Sequence, residues 1–176
     1  MKFSIKEMTY IAILSALTVM AIYFARMPAF GGKLVFHFGE TVILTSALLL
    51  GSRGGFWVGA LGSSIADLLL GYSVWAPASF VIHGMEGYLV GKASENNKVK
   101  DIFALIFGVS FMVFGYAVTA GFLYGKAAIP IELFGDLIQG GIGVVTAFLL
   151  TTLLRKSVPS IATLRDEIRG SNNEDR

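Results

Sequence analysis

The chain has 176 residues, of which 55% are hydrophobic and 15% charged, with a mean hydropathy of +0.70 and a net charge of +2. A soluble domain carries about a quarter charged residues, so a chain this short holds more apolar surface than its own core can use, and the excess must face lipid. The absence of cysteine excludes disulfides, thiolate-held metals and thiol nucleophiles.

Apolar runs follow one another along the chain. The first, MTYIAILSALTVMAIYFA from Met8, can cross about 30 Å of hydrocarbon at 1.5 Å per residue. No small-residue cleavage site leads from it into a soluble domain, so it reads as a retained span and not as a signal peptide. Between Arg26 and Glu40 the chain reads RMPAFGGKLVFHFGE. A proline and a Gly-Gly pair permit an irregular path there, with aromatic and ionisable groups close together, which suits a lid over a pocket as well as an ordinary connector. The second run, LVFHFGETVILTSALLL from Leu34, is interrupted by Glu40 and predicts a short span shielded by its neighbours.

The third run, GGFWVGALGSSIADLLLG from Gly54, carries Asp67, and the fourth, VWAPASFVIHGMEGYLVG from Val74, carries His83 and Glu86. The fifth, IFALIFGVSFMVFGYAVTAGFLYG from Ile102, is uncharged, and the last, from about Ile129 to Leu154, has Glu132 and Asp136 in its first turns. None shows period-2 alternation, which excludes a barrel and leaves helices as the spanning structure. The separators MPAFGGK, GSRG, GYSVWAP, SENNKVKD and GKAAIP hold Pro, Gly or charge where helices should stop. The fold class expected is an all-α integral membrane bundle of six transmembrane helices over residues 1–156, followed by a polar cytoplasmic tail over 157–176.

Orientation follows from the cations. With the N terminus cytoplasmic, eleven of the fourteen Lys and Arg residues fall inside, leaving Arg26, Lys33 and Lys126 outside, as the positive-inside rule requires. Both termini are then cytoplasmic. The polar residues at membrane depth, Glu40, Asp67, His83, Glu86, Asp136 and Gln139, fall in the outer half or near the midplane. Such residues are costly in lipid and by default functional. Ser79, His83 and Glu86 are spaced i, i+4, i+7 and share one face of span four; Glu132, Asp136 and Gln139 do the same on span six. Facing each other, these stripes would line a cavity open to the outside, with Glu86 roughly 15 Å deep. Asp67, four residues after Ser63, reads more simply as a hydrogen-bonding contact between helices. Glu132, near the interface, reads as solvated. Tyr72 and Trp75 suit an interfacial belt or a stacking platform equally. His37 and His83 lack any recognised metal-binding spacing to Glu40 or Glu86, so no metal is expected.

No P-loop motif is present, since Gly125-Lys126 runs into Ala127 without the upstream glycine, and no internal repeat is evident. Ordinary secondary carriers are usually built of repeats, so an energy source on another subunit is plausible.

The stretch from Phe36 to Gly91, FHFGETVILTSALLLGSRGGFWVGALGSSIADLLLGYSVWAPASFVIHGMEGYLVG, resembles the substrate-binding S components of energy-coupling factor (ECF) vitamin transporters, most closely the hydroxymethylpyrimidine and pyridoxine type. The ordered markers are Gly39-Glu40, the glycines at 51 and 55, the acid-and-leucine stretch from Asp67 to Tyr72, Trp75-Ala-Pro77, and Glu86-Gly87 with Gly91. The resemblance implies a plasma-membrane subunit that captures a water-soluble vitamin or precursor from outside. It would work with a transmembrane coupling protein and two ATPase subunits, without a cofactor of its own and without nucleic acid. It further implies a pocket near the outer surface, for which Phe36, His37, Glu40, Trp75, His83, Glu86, Tyr116, Asp136 and Gln139 are the candidates by position. Aromatic rings would stack a flat heterocycle and carboxylates would accept its hydrogen bonds. A pocket without paired arginines argues against a polyanionic ligand. On span one, Ala12 and Ala16 at i, i+4, with Ser15 beside them, flatten a helix face; the resemblance makes that face the docking site for the coupling protein, and the alternative is packing inside the bundle. Two other classes stay open on the residues alone: a stand-alone proton-coupled carrier, with Glu86 or Asp136 titrating, and a membrane enzyme using His83 and Glu86 as acid and base.

Overall fold

The computed structural model describes residues 3–25, 27–29, 34–95 and 97–174. It is helical throughout, apart from a two-stranded hairpin in the first loop. The elements are α1 (Ile5–Phe24), β1 (Met27–Ala29), β2 (Leu34–Phe36), α2 (Gly39–Leu69), α3 (Ala76–Ala93), α4 (Lys98–Tyr124), a 3-10 turn (Lys126–Ala128), α5 (Ile129–Ser157), α6 (Pro159–Ala162) and α7 (Leu164–Glu174). Starts and stops follow local chemistry. The Ser4 hydroxyl accepts from Glu7 N–H to cap α1, Asn97 accepts from Val99 and Lys100 N–H to cap α4, and prolines stand in the first turns of α3 and α5.

Among the described residues, α1, α2, α4 and α5 with the turn before it are long and apolar enough to cross a membrane. The expected six spans therefore appear only in part as separate apolar helices. Spans two and three form the single run α2, and α3, diluted by glycines and by His83, Glu86 and Lys92, has only 18 residues. Yet α2 is not straight. Gly51, at φ 79° and ψ −168°, breaks it, and only glycine adopts that backbone without strain. A Cβ on Gly55 would lie 2.8 Å from Ala47 Cβ, and one on Gly59 would lie 3.3 Å from Ile43. In an unbroken helix residues eight apart are about 12 Å apart, so the run doubles back at Gly51 into two antiparallel arms. The first arm is short and almost wholly buried from Gly39 to Gly51, as a span shielded by its neighbours should be.

The second arm of α2 packs on α3 more closely than any side chain would allow. A Cβ on Gly91 would sit 2.3 Å from Gly51 C, one on Gly87 would sit 2.2 Å from Gly55 O, and one on Gly59 would sit 2.2 Å from His83 O. Above this glycine ladder the Ser63 hydroxyl donates to the Ser79 carbonyl at 3.1 Å. These four contacts step by four residues on each helix, the register of two antiparallel helices meeting along one face. Where lipid removes the hydrophobic drive between helices, close van der Waals packing of small residues takes its place.

At the end holding both termini, Asp101 accepts from Arg155 at 2.5 Å and from Ser94 at 2.6 Å, and Arg155 also donates to Leu48 O at 3.0 Å, near the α2 break. Arg165 donates to Gly91 O at 2.6 Å and to Ser94 at 3.1 Å. The segment expected as a polar tail thus contains a helix, α7, packed on the bundle: Leu164 and Ile168 bury against Ile11, Leu50 and Val58. Two apolar residues at i, i+4 make a one-sided face too brief to stand out from the charges around it. Lys6 pairs with Glu167, and that ammonium, with the Thr163 hydroxyl, holds the Glu167 carboxyl below the usual carboxylate range. Large apolar side chains such as Phe103, Phe114, Phe122, Ile131 and Leu149 are exposed on the outside of the bundle, the surface that lipid covers.

The ladder makes a specific demand on stability. Gly87→Ala forces a methyl group into the Gly55 carbonyl and should destabilise by about 1–3 kcal/mol, the usual cost of overpacking. Gly141→Ala, on a helical position with nothing within 4 Å, should be neutral or stabilising by about 0.5–1 kcal/mol. Thermal unfolding of both variants in detergent checks the contrast, and equal melting temperatures would refute the ladder.

Candidate functional site

At the end of the bundle opposite the termini, the helices enclose a cavity of about 410 Å³. Its position follows from the fold. The first arm of α2 begins only at Gly39, α3 begins after the Tyr72–Trp75 turn, and α5 enters after the 3-10 turn, so three helix starts and the end of α4 surround the space.

Its floor is acidic. Glu40 at the start of α2 and Glu86 on α3 are 1% and 0% exposed, and His83 between them is 7% exposed. His83 Nδ1 lies 2.9 Å from Glu86 Oε2 and 3.7 Å from Glu40 Oε2. Among the described residues, both Glu40 oxygens, Glu86 Oε1 and Asp136 Oδ2 are buried with no N–H or hydroxyl donor, Glu40 and Glu86 having only each other's carboxyl. A buried acceptor left without a donor costs about 1–3 kcal/mol, and four of them in one region make a site shaped for something that brings donors or positive charge.

One wall is aromatic. The Trp75 ring lies 5.7 Å from Tyr116 and 5.9 Å from Tyr124, and Tyr116 lies 5.3 Å from the His83 ring. Polar atoms fix the rings in place. Trp75 Nε1 donates to Tyr124 Oη at 3.0 Å, Tyr116 O–H donates to Ser79 Oγ at 2.6 Å, and Ser79 O–H donates to Asp67 at 2.5 Å.

The lid region is anchored from below. Gln139 Nε2 donates to His37 O at 2.6 Å, and Gln139 Oε1 accepts from His37 N–H at 3.3 Å, tying the end of the hairpin to α5. The hairpin pairs Met27 with Phe36 and Ala29 with Leu34; its tip, and the Gly31-Gly32 pair read as the flexible part of a lid, lie outside the described residues.

Of the nine residues picked from the sequence, His37, Glu40, Trp75, His83, Tyr116, Asp136 and Gln139 line the cavity. Glu86 does not line it but backs His83, and Phe36, half-buried at the end of the hairpin, is not part of the lining. Gln139 spends both ends of its amide on the chain itself. Asp67, read as an interhelical contact, does bridge α2 and α3, though its partner is Ser79 and not Ser63, and it also reaches the cavity. Glu132, read as solvated, lines the cavity as well, as do Met112 and Tyr124. A signal was present for Met112, which stands at i to Tyr116 at i+4 on one face of α4; Tyr124, eight residues further on, falls off that face and carried none. Glu40, His83 and Glu86 also bring three metal-capable atoms within 4.8 Å of one another, a grouping no linear spacing announces because Glu40 comes from a different helix.

A helical membrane bundle built around one polar cavity at a single end belongs to the class of membrane proteins that bind small solutes. The comparisons with known proteins sharpen this. The family model for the ECF-type riboflavin transporter S component matches residues 2–156, and the chain belongs to that family. It is 28% identical over 156 residues to the thiamine precursor transporter HmpT of Lactococcus lactis subsp. cremoris (strain MG1363), covering 88% of this chain and 90% of that one. It is also 32% identical over 138 residues to an uncharacterized protein in the gap 3'region of Pyrococcus woesei, covering 77% of this chain and 93% of that one. The chain is thus an integral membrane substrate-binding component of a transporter, not an enzyme, and it works in association with other ECF components.

The Gln139 clamp predicts a local effect. Gln139→Ala removes two hydrogen bonds worth about 0.5–1.5 kcal/mol each and should speed amide hydrogen exchange around residues 37–42 by about fivefold or more, leaving α4 unchanged. Unaltered exchange there would show that the hairpin is held by something else.

Proposed function

We propose that this chain is the high-affinity subunit of an ATP-driven ECF importer, capturing a small water-soluble vitamin or precursor from outside, with pyridoxine or hydroxymethylpyrimidine favoured. Six helical arms, counting both arms of α2, cross the plasma membrane with the termini inside, so the cavity opens outward. The lopsided distribution of Lys and Arg supports this orientation. The single observation that carries the reading is the cavity itself: a floor of Glu40 and His83, backed by Glu86, beneath a wall of Trp75, Tyr116 and Tyr124, sized for one heterocycle. The similarity to a thiamine precursor transporter supports the choice of substrate.

If the floor hydrogen-bonds the ligand, Glu86→Gln weakens binding by about 1.5–3 kcal/mol, the range for hydrogen bonds to charged groups, which is at least tenfold in Kd. Calorimetry with pyridoxine and hydroxymethylpyrimidine measures this. Full affinity in Glu86→Gln, His83→Ala and Asp136→Asn alike would remove the site.

The partners in this reading are a transmembrane coupling protein and two ATPase subunits, and the docking surface is the outer face of α1. Ala12 and Ala16 are exposed there, whereas Ser15 is buried with Ile11, Thr18 and Ile22 on the bundle side. Docking thus rests on the alanine pair, and Ser15 belongs to internal packing. Ala12→Leu with Ala16→Leu should leave ligand affinity of the isolated subunit unchanged and abolish ATP-driven uptake by the assembled transporter. Normal uptake by the double variant, or loss of ligand by the isolated one, would rule the assignment out.

A further inference from the structure

We infer that the ligand is held as an organic cation, its positively charged nitrogen against Glu40 and His83, with Glu86 behind them, and its flat ring against the Trp75–Tyr116–Tyr124 wall. The inference rests on the solute-binding reading above and names the substrate class that reading leaves open.

The first observation is the sign of the lining. Glu40, Asp67, Glu132 and Asp136 line the cavity and Glu86 lies directly behind, while no Lys or Arg is present among the described lining residues. Of these carboxyls, Asp67 takes the Ser79 hydroxyl. Apart from the carboxyl contact between Glu40 and Glu86, the two Glu40 oxygens, Glu86 Oε1 and Asp136 Oδ2 are buried with no donor among the described residues. Ionised, as they would be against a cation, these carboxylates are acceptors only. A neutral ring rich in carbonyl oxygens would add acceptors to acceptors, whereas a protonated ring nitrogen or an amino group beside one supplies donors and opposite charge together, the stronger kind of hydrogen bond.

The second observation is independent of the acids. Three aromatic rings, Trp75, Tyr116 and Tyr124, form a continuous wall with neighbouring centroids 5.7 and 5.9 Å apart, and Tyr72 joins them in lining the cavity. Aromatic faces carry the negative side of the ring quadrupole and attract cations, most strongly where water is excluded. Floor and wall therefore favour the same charge by different physics. A bare divalent ion would use Glu40, His83 and Glu86, whose ligand atoms lie within 4.8 Å of one another. It would leave the aromatic wall and Asp136 without a role.

The test uses the full chain in lipid nanodiscs. Its probes are pyridoxine and hydroxymethylpyrimidine labelled with 15N in the ring, the carbocyclic analogue of pyridoxine with C–H in place of the ring nitrogen, riboflavin, and zinc ion alone. At a pH where free hydroxymethylpyrimidine is neutral, the 15N spectrum of its bound form should report a protonated ring nitrogen. The carbocycle should bind at least tenfold more weakly than pyridoxine. Glu40→Gln should lower affinity for the basic ligand at least tenfold more than affinity for the carbocycle, with an unchanged helical circular-dichroism spectrum showing that the variant folds. A neutral bound ring, equal affinity for the carbocycle, tight riboflavin binding without binding of the basic rings, or zinc binding without any organic ligand would each overturn the inference while leaving a binding site in place. If no organic probe and no zinc binds, the solute-binding reading fails and this inference fails with it.

Discussion

The structure depends on the contact between the second arm of α2 and α3, where backbone meets backbone with no side chain between. Gly51, Gly55 and Gly59 on one helix and Gly87 and Gly91 on the other bring the axes together, in a solvent where apolar side chains gain nothing by leaving lipid for protein. Because the contact repeats every four residues, it fixes rotation and register as well as distance. His83 has its carbonyl pressed onto Gly59, which fixes the backbone from which its ring projects. Glu86, one turn on, is locked beneath it. The same register ends in Ser63 and Ser79, and Ser79 then orients Asp67 and Tyr116. The acid floor and part of the aromatic wall are therefore consequences of one line of glycines.

The two ends of the bundle resolve their polar groups in opposite ways. At the terminal end Asp101, buried, is satisfied by Ser94 and Arg155, and Arg165 spans from α7 to α3. Every one of these side chains has a partner in the chain, as buried charge requires. At the other end Glu40, Glu86 and Asp136 retain unsatisfied oxygens around an open cavity. A protein that pairs its buried charges at one end and leaves buried carboxyl oxygens without donors at the other has a fixed base and a receptive mouth, the arrangement a binding subunit needs. Gly143 adds a detail: its missing side chain leaves room for the Glu40 chain, 2.4 Å from where a Cβ would stand.

Much of this was legible in the sequence, and the reasons for the rest are physical. Apolar runs gave the helices and their order, since composition alone decides what can enter lipid. The stripes at Ser79–His83 and Glu132–Gln139 were visible as helical spacing, and the cavity brings them together. The grouping of Glu40 with His83 and Glu86 was not visible, because it depends on how far α2 descends before Gly51 turns it, and a single glycine with positive φ carries no periodic signal. Gln139 looked like a ligand contact because a polar residue at depth invites that reading; that its amide would clamp the His37 backbone depends on a hairpin no local pattern predicts. The α7 face, Leu164 and Ile168 in a charged segment, was too short to read.

The central claim, that the cavity over Glu40, His83 and Glu86 holds a vitamin-type solute, is tested most directly by native mass spectrometry of the chain purified from membranes, with release and identification of what it carries. The account predicts a single small basic heterocycle, recovered chemically unchanged and absent from preparations of Glu86→Gln and His83→Ala. Recovery of no small molecule, or of the same molecule at equal occupancy from those two variants, would contradict it.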